Sequence, residues 1–181
     1  MKKLNRKELL PYIGLPVIVA ALVLMQAGRS DTFVLLQHLL ILLFGYIASV
    51  FDIKAKKIPN SLILVMLGVW VVTIVPKLFF DTDAAITLLV GSLLGFLIGG
   101  GLFLIVYLIS RKGLGGGDVK FMAAAGLYIY YTGVLTSILY GAILAALTGL
   151  ILLLLKKLGR KDSMPLAPFL YVGILITVFY R

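Results

Sequence analysis

Most of this chain is laid out in continuous apolar stretches, each about as long as a membrane is thick. No other feature constrains its fold as strongly. A spanning helix needs about 20 apolar residues, within a range of roughly 17–25. Such stretches cover about 9–27, 32–51, 58–76 and 84–110. The next run, Val119 to Leu155, is too long for one crossing and suits two, with a break expected near Thr132-Gly133. A last stretch covers about 165–180. The runs are continuous instead of alternating, which argues against a transmembrane β-barrel. The expectation is an all-α, polytopic membrane bundle of about seven helices. Residues 1–30 would supply a basic start and an extra first helix, and residues 31–181 a six-helix core. No small-x-small cleavage site precedes a polar segment, so the first stretch reads as an uncleaved helix and not as a signal peptide.

Composition agrees. Of 181 residues, 62% are hydrophobic and 13% charged, whereas soluble domains hold roughly 45–50% apolar and about 25% charged residues. A chain this short cannot hide that excess from water. An ordinary soluble enzyme, a disordered protein and a nucleic-acid-binding domain are therefore excluded, and no nucleic-acid partner is expected. The chain contains no cysteine, which removes disulfides, thiolate zinc sites and cysteine nucleophiles. One His and one Glu are too few for the commoner His/Glu metal sites. No metal and no cofactor are expected.

The net charge is +10. With the N-terminus in the cytoplasm, 14 of the 17 basic residues fall on the inner side, leaving only Arg29, Lys77 and Arg181 outside. Cytoplasmic loops gather Lys and Arg in this way. The excess is therefore an orientation signal, and it requires the long run at 119–155 to cross twice. The lipid bilayer is the one partner that charge and hydropathy imply directly.

Ionisable residues at membrane depth are costly and mark function. Of the seven acids, Asp31, Asp81 and Asp83 fall in outer loops, Glu8 lies beside the basic start, and Asp162 sits in a charged loop. Asp52 and Asp118 remain. Two crossings separate them, so both lie at the same, cytoplasmic, level. Two carboxylates that approach each other there would share one proton, allowing one to activate water while the other protonates a carbonyl or a leaving amine. The pattern alone leaves open that each pairs with Lys54, Lys56 or Lys120, or caps a helix. Gly113-Leu114-Gly115-Gly116-Gly117-Asp118 places a glycine-dense loop at the mouth of a helix, where an extended peptide backbone could come close. It lacks the Gly-Lys-Ser/Thr ending of a phosphate-binding loop. In the fourth stretch Gly91, Gly95 and Gly99 line one face and predict close helix packing.

Three segments together are more specific. Asp52-Ile53-Lys54-Ala55-Lys56-Lys57-Ile58-Pro59-Asn60 is followed by Gly115-Gly116-Gly117-Asp118-Val119-Lys120, and then by Pro165-Leu166-Ala167-Pro168-Phe169-Leu170. In this order they resemble the prepilin and preflagellin leader peptidases, the Gly-x-Gly-Asp aspartic proteases of type IV pilin systems. The resemblance runs from about residue 40 to the end. It implies that Asp52 and Asp118 are the catalytic pair. It also implies that Lys54, Ile58, Pro59, Asn60, Gly115, Gly117 and Lys120 bind substrate or shape the site. The implied activity is removal of a basic leader peptide from a prepilin-like substrate at the cytoplasmic membrane face, in support of pilus assembly or secretion. Many bacterial members carry an insertion with paired Cys-x-x-Cys motifs associated with N-methylation. This chain has no cysteine, so the resemblance is to a short, peptidase-only form.

Two alternatives remain at this stage. Intramembrane proteases of the signal-peptide-peptidase or presenilin kind also pair two aspartates, but Ile58-Pro59-Asn60 and the membrane-edge position of both acids argue against them. A proton-coupled transporter would want polar groups through the bilayer depth, where this chain is nearly all apolar. His38 lies 14 residues before Asp52, roughly 21 Å along a helix, too far to join the pair and unable to activate Ser61 or Ser110. Trp70, Tyr128, Tyr130 and Tyr131 are expected at the outer membrane interface.

Overall fold

In the computed structural model, residues 22–23, 31–110, 113–156 and 164–180 are described. Among them the chain forms five helical elements and no strand. These are α1 (Thr32–Ala55), α2 (Asn60–Phe80), α3 (Thr82–Ser110), α4 (Gly116–Leu154) and α5 (Ala167–Tyr180). The first four are long and apolar enough to cross a membrane.

Local chemistry sets the boundaries. Asp31 caps α1, its carboxylate accepting from the Phe33 amide at 3.2 Å. Such a cap contributes about 1 kcal/mol. The helix ends at Lys56, whose left-handed backbone (φ 50) turns its N–H onto the Asp52 carbonyl. Pro59, in extended conformation, precedes the first residue of α2, a place where a missing N–H costs nothing. Asp81 alone separates α2 from α3. It closes the first by donating to the Lys77 carbonyl and opens the second by accepting from Ala85. Lys77 bridges Asp31 at 3.1 Å and Asp81 at 3.5 Å, fastening the start of α1 to the α2–α3 turn.

The expected count of seven helices is not reached. The first expected stretch, 9–27, lies outside the described residues except for Leu22 and Val23. The stretches expected as fifth and sixth form one element, α4, interrupted at Tyr130 (φ 58, ψ 172) and not at Thr132-Gly133. At 39 residues a straight α4 would measure about 58 Å, nearly twice the hydrocarbon thickness. It is not straight. A Cβ placed on Gly99 would lie 2.5 Å from the Met122 carbonyl oxygen and 2.9 Å from Val134 Cγ2. Those residues would be about 18 Å apart in an unbroken helix, so the chain doubles back at Tyr130. The ring of Tyr130 is buried, with Cδ1 3.7 Å from a Cβ built on Gly91. This anchorage places the reversal at a tyrosine, in a backbone region that ordinarily belongs to glycine.

The glycine face of α3 packs as its spacing predicts. Gly91, Gly95 and Gly99 are buried, and any side chain on Gly95 would run into the Gly126 carbonyl. Gly173 of α5 meets the Ser137 carbonyl of α4 as closely, and Ser137 Oγ donates to Thr177 Oγ1 at 3.0 Å. The aromatic expectation needs correction. Trp70 and Tyr128 are buried inside the bundle, whereas Tyr131, exposed, and Tyr130, buried, line the pocket at the Asp31 end, where the expectation placed them. Tyr128 donates its hydroxyl to the Met66 carbonyl and stacks edge-on to Phe44, with ring centroids 5.9 Å apart. The inside of a helical bundle and a membrane interface both suit an amphipathic ring, so sequence alone does not separate them. His38 is buried beside Asp31 and Tyr130 around a pocket of about 390 Å³, at the opposite end of α1 from Asp52.

Candidate active site

Asp52 is in the last turn of α1 and Asp118 in the first turn of α4. Both are buried, at 5% and 9% exposure, whereas the other charged side chains among the described residues mostly lie open. Gly117, next to Asp118, rests on Ile58, six residues after Asp52, and Lys120 bonds Asn60, so the two carboxylates lie at the same end of the helical bundle.

Each carboxylate is anchored by a backbone amide. Asp52 Oδ2 accepts from the Ala167 N–H at 2.9 Å. Ala167 opens α5, where amides lack helical partners, and its neighbours Pro165 and Pro168 have no N–H to offer. Asp118 Oδ2 accepts from the Gly115 N–H at 3.3 Å, the reciprocal half of a capping interaction. Its other oxygen, Oδ1, is buried and accepts no hydrogen bond from the described chain. One oxygen of each carboxylate is thus held in place.

The neighbouring residues have separate positions. Ile58 is buried, and a Cβ on Gly117 would lie 3.3 Å from Ile58 Cβ, so the glycine loop rests directly on the Ile58 backbone. Pro59 precedes α2, and Asn60 starts it, accepting from Lys120 Nζ at 3.0 Å. This bond ties the starts of α2 and α4 together and commits Lys120 to an amide, not to either aspartate. Gly115 leaves no room at Asp118: a Cβ there would lie 2.9 Å from Oδ2. Lys54 is exposed in the last turn of α1. Ala167 has a contact that no side-chain pattern announces, because a backbone amide carries no residue-type signal. The start of a Pro-flanked helix is the trace it leaves in the sequence. Among the described residues no group of three or more His, Cys, Asp or Glu could hold a metal ion.

Apolar crossing helices with two buried, amide-anchored carboxylates at one end define a multi-pass membrane protein with an aspartate-pair site. The family model of the type IV leader peptidases matches residues 39–152, which include both aspartates. The chain belongs to that family. A prepilin leader peptidase/N-methyltransferase of Legionella pneumophila is 29% identical over 130 residues, 71% of this chain and 44% of the relative. The protein of the same description from Bacillus subtilis (strain 168) is 25% identical over 134 residues, 74% of this chain and 51% of the relative. That from Xanthomonas campestris pv. campestris is 27% identical over 130 residues, 71% of this chain and 44% of the relative. The chain spans about half the length of these curated relatives. No solved structure matches it.

Proposed function

We propose that the protein is a membrane-embedded aspartic endopeptidase that removes the basic leader peptide from prepilin-like proteins at the cytoplasmic membrane face, with residues 31–181 as the peptidase core. The observation that supports this reading is that Asp52 and Asp118, two buried carboxylates from distant parts of the chain, lie at one end of the bundle, the first held by the Ala167 amide and the second by the Gly115 amide. No metal or cofactor enters the proposed reaction.

The chemistry follows from a carboxylate pair holding one proton. The ionised member takes a proton from water, and the water oxygen attacks the scissile carbonyl carbon. The protonated member gives its proton to the carbonyl oxygen, forming a gem-diol. Collapse breaks the C–N bond, and a proton passes to the leaving amine, which becomes the N-terminus of the mature helix. Positioned acid and base groups each contribute about 10²–10⁴-fold. No methyl transfer is proposed, since the chain contains no cysteine. Lys54, exposed beside the site, and Lys120, at its edge, are proposed to contact substrate and to hold the loop, respectively.

The test is co-expression with a prepilin-like substrate. Wild type should shorten the substrate by its leader, and Asp52→Asn and Asp118→Asn should each leave it full-length at equal enzyme abundance. Cleavage undiminished by either substitution would remove the pair from the mechanism.

A further inference from the structure

A groove of about 710 Å³ opens between α2 on one side and α3 with α4 on the other. It exists because α3 and α4 pack extensively while α2 touches both only sparsely. Its walls include Leu64 and Leu97, 68% and 64% exposed, so it opens sideways toward the bilayer. Its floor contains Gly101, where an added Cβ would meet no described atom within 4 Å. One end is closed by the hydrogen-bonded pair Asn60 and Lys120, the second of these two residues beyond Asp118.

The wall from Asn60 to Leu67 runs about 10 Å along α2, the length of two helical turns. Charge indicates what occupies it. The site end of the molecule carries Lys54, Lys56, Lys57 and Lys120, which oppose the approach of a basic leader. Substrate affinity must therefore come from apolar contact, and this groove is an apolar surface whose end is lined by Val119 and Lys120, the two residues that follow Asp118. We propose that it seats the first two turns of the substrate's apolar membrane helix. The helix enters laterally from the bilayer, and the chain just before it passes over Asp52 and Asp118. Small residues in the floor let the two backbones approach, as in membrane helix pairs generally. The proposal rests on the leader-peptidase reading.

Because the chain has no cysteine, single cysteines can map the contact directly. Leu97→Cys and Gly101→Cys, each combined with Asp118→Asn to retain substrate, are oxidised in membranes with a prepilin-like protein bearing one cysteine in the first two turns of its apolar helix. Ala146→Cys, exposed on the second half of α4, is the control. Disulfide-linked substrate at 97 and 101, about tenfold above the control, is the expected result. In the otherwise intact enzyme, Gly101→Phe should raise KM about tenfold. Equal linkage at all three positions overturns the proposal. So does a Gly101→Cys self-linked dimer that substrate does not diminish, which would assign the groove to a second copy. So does a lipid photoprobe that substrate does not displace. Wild-type cleavage is measured alongside: its absence refutes the peptidase reading, whereas cleavage without groove linkage refutes the groove alone.

Discussion

Gly115 offers a sharp test of how tightly the loop holds the site. Its backbone is ordinary for any residue (φ −79, ψ 139), so Gly115→Ala carries no conformational penalty. The added methyl would lie 2.9 Å from Asp118 Oδ2, about 0.5 Å inside the 3.4 Å at which ordinary contact begins. Its neighbour is the end of a side chain, which can swing away, so the fold survives and the carboxylate moves. A 1 Å misplacement in an active site can cost about 10²-fold, so half that displacement should slow cleavage about tenfold. Gly116→Ala is the matched control, because a Cβ there meets nothing within 4 Å. The assay is the initial rate of leader removal by purified enzyme in proteoliposomes, with unfolding temperature measured in parallel. Equal rates for the two alanine variants would refute the reasoning, as would a Gly115→Ala protein that fails to fold.

Three further outcomes follow from the same geometry. Ala167→Pro deletes the amide donated to Asp52, a hydrogen bond to a charged group worth about 1.5–3 kcal/mol; cleavage should slow by about 10–150-fold, while Ala167→Gly, which keeps the N–H, should stay near wild type. Gly95→Ala pushes a methyl into the Gly126 carbonyl and Tyr130 backbone and should cost about 1–3 kcal/mol in detergent unfolding, whereas Gly101→Ala should cost almost nothing. The Phe33 amide and Lys77 hold the Asp31 carboxyl below its ordinary range. Its small stabilising contribution is therefore present at neutral pH and lost as pH falls through the lowered value. Lys77→Met should move the Asp31 titration upward, as read by NMR.

Much of this arrangement was legible before any coordinates. Hydropathy located four long crossing helices, and counting crossings put Asp52 and Asp118 at one level. Ionisable groups are so rare in this chain that elimination was informative. The three ordered segments meet as well: Lys120 bonds Asn60, Gly117 rests on Ile58, and Ala167 bonds Asp52. The remainder lay in backbone geometry. The Ala167 amide looks like any other N–H in sequence. Run length and charge parity place the break near Thr132-Gly133, and it falls at Tyr130, whose buried ring packs against Gly91. Gly126 carries no signal of its own in the sequence, though its backbone is what Gly95 packs against. Trp70 and Tyr128 were misassigned because bundle interior and membrane interface reward the same side chains.

The central claim is that Asp52 and Asp118 act as one catalytic unit, and the most direct test is kinetic. Wild type, Asp52→Asn, Asp118→Asn and the double variant are reconstituted separately with a purified prepilin-like substrate, and leader release is followed by mass spectrometry. The account predicts that each single variant is slower by about 10²-fold or more, and that the double variant is little worse than either, because removing one member already disables the pair. Either single variant cleaving at near the wild-type rate, or two modest losses that simply multiply in the double variant, would contradict it.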